Sequence, residues 1–84
     1  MTKILPPDPD EMNDDRAKRA AAALRLFQCT TGTDYEDALG DLLADLMHWS
    51  DRYNFDFELA LDRARGNYDA ETMPTIDTAK GGAA

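Results

Sequence analysis

Residues 33–57 read TDYEDALGDLLADLMHWSDRYNFDF, and the spacing of the large apolar side chains in that stretch decides the fold class. From Tyr35 onward Leu39, Leu42, Leu43, Leu46, Met47, Trp49 and Tyr53 recur at intervals of three and four, the period of an α-helix rather than the alternation of a strand. The stripe is wide, which predicts contacts on more than one side. Thr33 followed by Glu36 is a capping box, in which each side chain satisfies a backbone amide of the other residue, so the helix is predicted to open there. Asn54 tolerates the left-handed conformation that ends a helix, and Asp56 then caps a further helix carrying Phe57, Ala60, Leu61, Ala64 and Tyr68. Gly66 costs that helix about 1 kcal/mol relative to Ala and is a point where it can end early.

Upstream of this stretch a first helix is predicted to open at Asn13, a good N-cap, with Asp14 and Asp15 beside the positive end of the helix dipole. It is expected to run to about Gln28, with Ala17, Ala20, Ala21, Leu24, Phe27 and Gln28 on one face and Gly32 as its stop. The small block Ala20 to Ala23 lets another helix approach closely. Pro6, Pro7 and Pro9 make residues 1–12 an expected flexible N-terminal arm, because proline blocks helix propagation and restricts the residue before it. Pro74 and the Lys-Gly-Gly-Ala-Ala ending make 73–84 an expected flexible C-terminal tail. The expected architecture is all-α: one small three-helix domain at 13–72, with helices at about 14–28, 34–53 and 57–70 and no strand.

A chain of 84 residues supports one domain, and at that size folding removes only roughly 60% of the unfolded surface from water. Its core is expected to be small, so a homodimer covering part of the leucine stripe is expected to supplement it. Trp49, Tyr53, Phe55 and Phe57, joined by Tyr35 and Tyr68, form the expected main core. Left partly exposed, Trp49 and Tyr53 would instead be aromatic anchors for a partner.

The formal net charge is -8, with 17 acidic residues against 9 Lys and Arg, which argues against direct nucleic-acid binding. That charge is localised. Residues 34–62 hold nine Asp or Glu against Arg52 alone, whereas residues 14–28 hold Arg16, Lys18, Arg19 and Arg25 against Asp14 and Asp15. The first helix is therefore an expected electrostatic partner for the second, within one chain or across a dimer. Asp37, Asp41 and Asp45, four residues apart, form a row with carboxylates about 6 Å apart along the helix axis.

Three readings of that row stay open. It can be a solvated polar face opposite the leucines. It can be a docking surface for a basic protein, with Glu36 and Asp51 beside it, because its carboxylates repeat at a spacing similar to that of backbone phosphates. It can also be part of a metal site, with Asp41, Asp45 and His48 facing a common point and Glu58 or Asp62 completing the shell from another helix or subunit. The single His argues against structural zinc.

Cys29 is the sole cysteine, so no intramolecular disulfide and no paired-cysteine motif exist, and a buried or half-buried structural thiol in a reducing cytoplasm is expected. No apolar run approaches the ~20 residues that span a bilayer, and Met1 to Asp10 lack a signal-peptide pattern. There is no nucleophile with a base, no glycine-rich phosphate loop and no complete metal shell, so neither enzymatic activity nor a cofactor is expected.

Two resemblances bear on function. The stretch from Asp37 to Arg65 resembles the second half of a MazG-like nucleotide pyrophosphohydrolase, an all-helical, oligomeric family that holds magnesium with paired helical carboxylates. That resemblance would place Asp41 at the final Asp of the second pair and Asp56 at the Asp opening the next helix. Ala38 stands where the paired Glu would be, Ala64 falls near the usual Lys, and the first helix has no Glu-x-x-Glu, so a catalytically disabled relative is what it implies. Residues 14–71, through Leu42 to Trp49 and the ending Ala64, Arg65 and Tyr68, resemble the short acidic accessory proteins of phages, plasmids and integrated elements. That resemblance implies an accessory role such as inhibition of host defence machinery, of the anti-CRISPR kind. The leading expectation is a cytoplasmic interaction module that modulates a basic, nucleic-acid-binding protein through Asp37, Asp41, Asp45, Glu36 and Asp51. The alternative is a magnesium-dependent MazG-like hydrolase.

Overall fold

The computed structural model describes residues 3–74. Among them are α1 (Asn13–Thr31), α2 (Tyr35–Arg52) and α3 (Phe57–Glu71), with no strand, which is the all-α arrangement the apolar spacing predicts. α1 packs on α2 and α2 on α3. The tail expected over 73–84 lies, from residue 75 on, outside the described residues.

The helix ends differ from the sequence expectation for local reasons. α1 continues past Gln28 to Thr31, and in its last turn the Thr30 and Thr31 hydroxyls donate to the Leu26 and Phe27 carbonyls at 2.9 and 2.8 Å. Gly32 then stops it at φ 73°, donating its N–H to the Gln28 carbonyl at 2.8 Å. At the other end Asn13 is the first helical residue rather than the cap. Its backbone N–H donates to Asp8 and that of Met12 to Asp10, each at 3.2 Å, so two acidic side chains of the preceding turn satisfy exposed helix-start amides. From Asp8 the N-terminal arm is thus hydrogen-bonded to the start of α1.

The predicted Thr33–Glu36 capping box is not formed. Asp34 caps α2 instead, accepting from the Asp37 N–H at 3.1 Å, while Thr33 pairs with the Thr31 hydroxyl at 2.7 Å. An ionised carboxylate is the stronger acceptor at a positive helix end, which moves the start by one residue. Asn54 does take the left-handed conformation, at φ 63°, and Asp56 caps α3 by accepting from the Leu59 N–H at 3.0 Å. α3 runs through Gly66 without interruption.

The inner faces are narrow. Ala21, Leu24, Phe27 and Gln28 of α1, Leu42 of α2, and Phe57 and Leu61 of α3 are half-buried, and among the described residues only Ala38 and Ser50 are buried. The expected aromatic core is therefore absent. Trp49 stacks on Tyr53 and Phe55 with ring centroids 5.3 and 4.9 Å apart, but all three rings face solvent, as do Tyr35 and Tyr68. The reason lies in the turn. Left-handed Asn54 and the bond from the Phe55 N–H to the Ser50 carbonyl at 2.9 Å fold Phe55 back over Trp49, where both rings stay exposed.

Candidate functional site: two faces of the second helix

At 100° per residue, α2 divides into two arcs. One carries the apolar stripe, of which Leu39, Leu43, Leu46, Met47, Trp49 and Tyr53 remain exposed. The other carries Asp37, Asp41 and Asp45, all exposed, with Glu36 and Asp51 exposed on the same helix. The helix therefore displays the acidic row that the four-residue spacing predicts.

Among the described residues no ion pair neutralises that row. The ion pairs among the described residues are Arg16 with Asp10 at 2.9 Å, Arg16 with Glu71 at 3.4 Å and Lys18 with Asp14 at 2.9 Å, and none reaches α2. The expected pairing of α1 with α2 inside one chain is thus not made: Arg16 and Lys18 are taken up by nearer carboxylates, and Arg19 and Arg25 are exposed with no ion pair among the described residues. Arg52 turns its guanidinium toward the His48 carbonyl at 3.4 Å, at the negative end of its own helix.

Like-charge repulsion is felt at Asp37. The negative charge of Asp34 raises the Asp37 carboxyl above its ordinary value, partial desolvation adds to this, and Asp41 one turn on contributes further. Asp34 is the cap just before the row, its carboxylate accepting from the Asp37 N–H, and its effect on the row was not read from the sequence. The sequence signal for it was present: an Asp three residues before Asp37, at the opening of an apolar-periodic run.

Asp41, Asp45 and His48 do not converge on a metal-binding arrangement, and among the described residues no group of three or more His, Cys, Asp or Glu side chains does. Glu58 and Asp62 on α3 do not complete one. Asp56, the second carboxylate that the MazG-like resemblance singles out, has its side chain engaged in capping the Leu59 amide. Cys29 is exposed rather than buried, on the outer side of α1. No helix among the described residues is long and apolar enough to cross a membrane.

A separate open groove of about 520 Å³ lies between the N-terminal arm and the ends of α1 and α3, lined by Leu5, Pro6, Arg16, Tyr68 and Glu71 among others. Its cation, Arg16, is already matched by Asp10 and Glu71, so the groove offers an anion no free charge. The α2 acidic row is the stronger electrostatic feature.

No family model matches the chain, and comparisons with curated proteins and with solved structures find no relative.

Proposed function

We propose that the chain is a small acidic interaction module whose α2 row of Asp37, Asp41 and Asp45, flanked by Glu36 and Asp51, docks on the basic surface of another protein. The observation that carries this reading is that these carboxylates are exposed and unpaired with any cation among the described residues. The raised pKa of Asp37, set first by the charge of Asp34 and last by Asp41, adds that like charge is crowded at this end of the row, which an external cationic surface relieves. A row of negative charge at regular intervals suits a groove built to hold the nucleic-acid backbone. The chain thereby acts as a modulator or inhibitor, by occupying a surface rather than by catalysis. The resemblance to accessory proteins of mobile elements makes a host defence complex in the cytoplasm the first target class to test.

The experiment is co-purification from a lysate of the producing cell at low and high salt, followed by competition with nucleic acid. Binding is expected to weaken with salt, to be displaced by nucleic acid, and to fall at least about tenfold with Asp37→Asn, Asp41→Asn and Asp45→Asn combined. A partner that the triple variant binds as well as the unaltered chain would remove this face from consideration.

A further inference from the structure

We propose that the apolar face of α2 is covered by the same face of a second copy of this chain. Leu39, Leu43, Leu46, Met47, Trp49 and Tyr53 are each 40% to 64% exposed and fall within an arc of about 160° of one helix. Tyr35 opens the face at one end, and Phe55, stacked on Trp49, extends it at the other. Together these side chains present on the order of 800 Å² of mostly apolar surface, which is what one partner contributes to an interface of standard size.

The occupant follows from what the fold lacks. Among the described residues nothing larger than Ala38 and Ser50 is buried, so this face is not a patch added to a finished core. α1 and α3 both pack against α2, burying Ser50 and half-burying Leu42 within the same arc, and they leave these larger apolar side chains uncovered beside them. A surface that must be covered wherever the chain is folded calls for an occupant present in equal amount, and a second copy meets that condition by mass action alone. A two-fold arrangement also satisfies the electrostatics. Asp37, Asp41 and Asp45 lie more than about 100° around the helix from the centre of the face, so the two acidic rows of a dimer point outward instead of opposing each other, while Glu36, about 60° from the centre and in the first turn of α2, falls at the end of the face. The dimer does not depend on the docking reading of those aspartates.

Trp49 is the only tryptophan in the chain and stands on this face, so its emission reports the interface directly. The experiment follows molar mass by light scattering and Trp49 emission together, from about 1 mM down to about 1 μM, the span over which modest association dissociates. The expected result is a mass near twice 9.3 kDa at the top of the range. On dilution it halves, and Trp49 emission shifts to the red over the same concentrations. Leu39→Lys with Leu43→Lys is expected to hold the chain at monomer mass throughout, whereas Leu26→Lys, on the outer side of α1, leaves the dimer intact. The Asp37, Asp41 and Asp45 to Asn triple variant also stays dimeric, which separates this proposal from the partner-docking one. A monomer across the whole range overturns the proposal. So does a dimer whose dissociation leaves Trp49 emission unchanged, which puts the interface elsewhere. So does a monomer with Trp49 already shielded at every concentration, which assigns the face to a segment of its own chain.

Discussion

The Asn13 side-chain amide donates to the backbone carbonyl of Glu71 at 2.8 Å, joining the first residue of α1 to the last residue of α3 across 58 positions of sequence. Arg16 completes the clasp. Its guanidinium donates to Asn13 Oδ1 at 2.7 Å and approaches the Glu71 carboxylate at 3.4 Å while holding Asp10 in a forked pair at 2.9 and 3.0 Å. These bonds tie the start of α1 to the end of α3 by polar contacts.

Asn13→Ala removes both the bond to the Glu71 carbonyl and the acceptor for Arg16. The expected loss is about 1 to 2 kcal/mol, the usual cost of a part-buried hydrogen bond with one partner left behind. Chemical denaturation followed by circular dichroism at fixed protein concentration measures it. A loss indistinguishable from that of Asp15→Ala, on the same turn but outside the clasp, would refute a role in closure.

Asp34→Ala is expected to cost about 1 kcal/mol, because it strips the acceptor from the Asp37 amide, whereas Thr33→Ala costs a few tenths. Had the Thr33–Glu36 box been the cap, the order would be reversed. Thermal denaturation of the two variants side by side decides between them.

Gly66 and Gly32 respond to alanine in opposite directions. A Cβ at Gly66 meets nothing within 4 Å and sits in helical backbone, so Gly66→Ala stabilises by roughly 0.5 to 1 kcal/mol. Gly32 has equal space but φ 73°, so Gly32→Ala destabilises by about 1 kcal/mol. Denaturant midpoints of the two variants give the signs.

Acid titration separates two carboxylates. The hydrogen bond from Arg16 lowers the Asp10 pKa, so the stability it contributes is full above the ordinary carboxylate value of 3.8 and is lost as pH falls through the depressed one. Asp37 has the opposite sign. Its pKa is raised by the charge of Asp34, so its unfavourable contribution is full above the raised value and is relieved as pH falls from there toward 3.8. Asp37→Asn is therefore expected to raise the melting temperature at pH 7 and to lose that advantage near pH 3, while Asp10→Asn lowers it at pH 7 and converges on the unaltered chain in acid. Carboxyl carbon NMR through the same range would show Asp37 titrating above Asp10; the reverse order would contradict both assignments.

The periodic leucines, the stop at Gly32, the left-handed turn at Asn54 and the Asp56 cap are each encoded within a few residues of where they act, so the helices and their order were legible in the sequence. The acidic row was legible too, because four-residue spacing places Asp37, Asp41 and Asp45 on one side of any helix they occupy. Which apolar side chains are buried is a different kind of question. Leu42 and Leu43 are neighbours with the same hydrophobicity, yet one is half-buried and the other exposed, because helix angles and turn geometry set by distant residues decide which side of α2 its neighbours cover. Trp49 and Phe55 illustrate the same point: composition marks them as core, and the Asn54 turn stacks them together in solvent. The clasp of Asn13, Arg16 and Glu71 left no local trace, since a hydrogen bond between the start of α1 and the end of α3 depends on the path of everything between them. Sequence alone determined the helices and the charge of their faces, through short-range backbone chemistry and periodicity. Tertiary structure alone decided that the leucine face stays open beside an unpaired acidic row, because packing depends on long-range geometry that no single segment specifies.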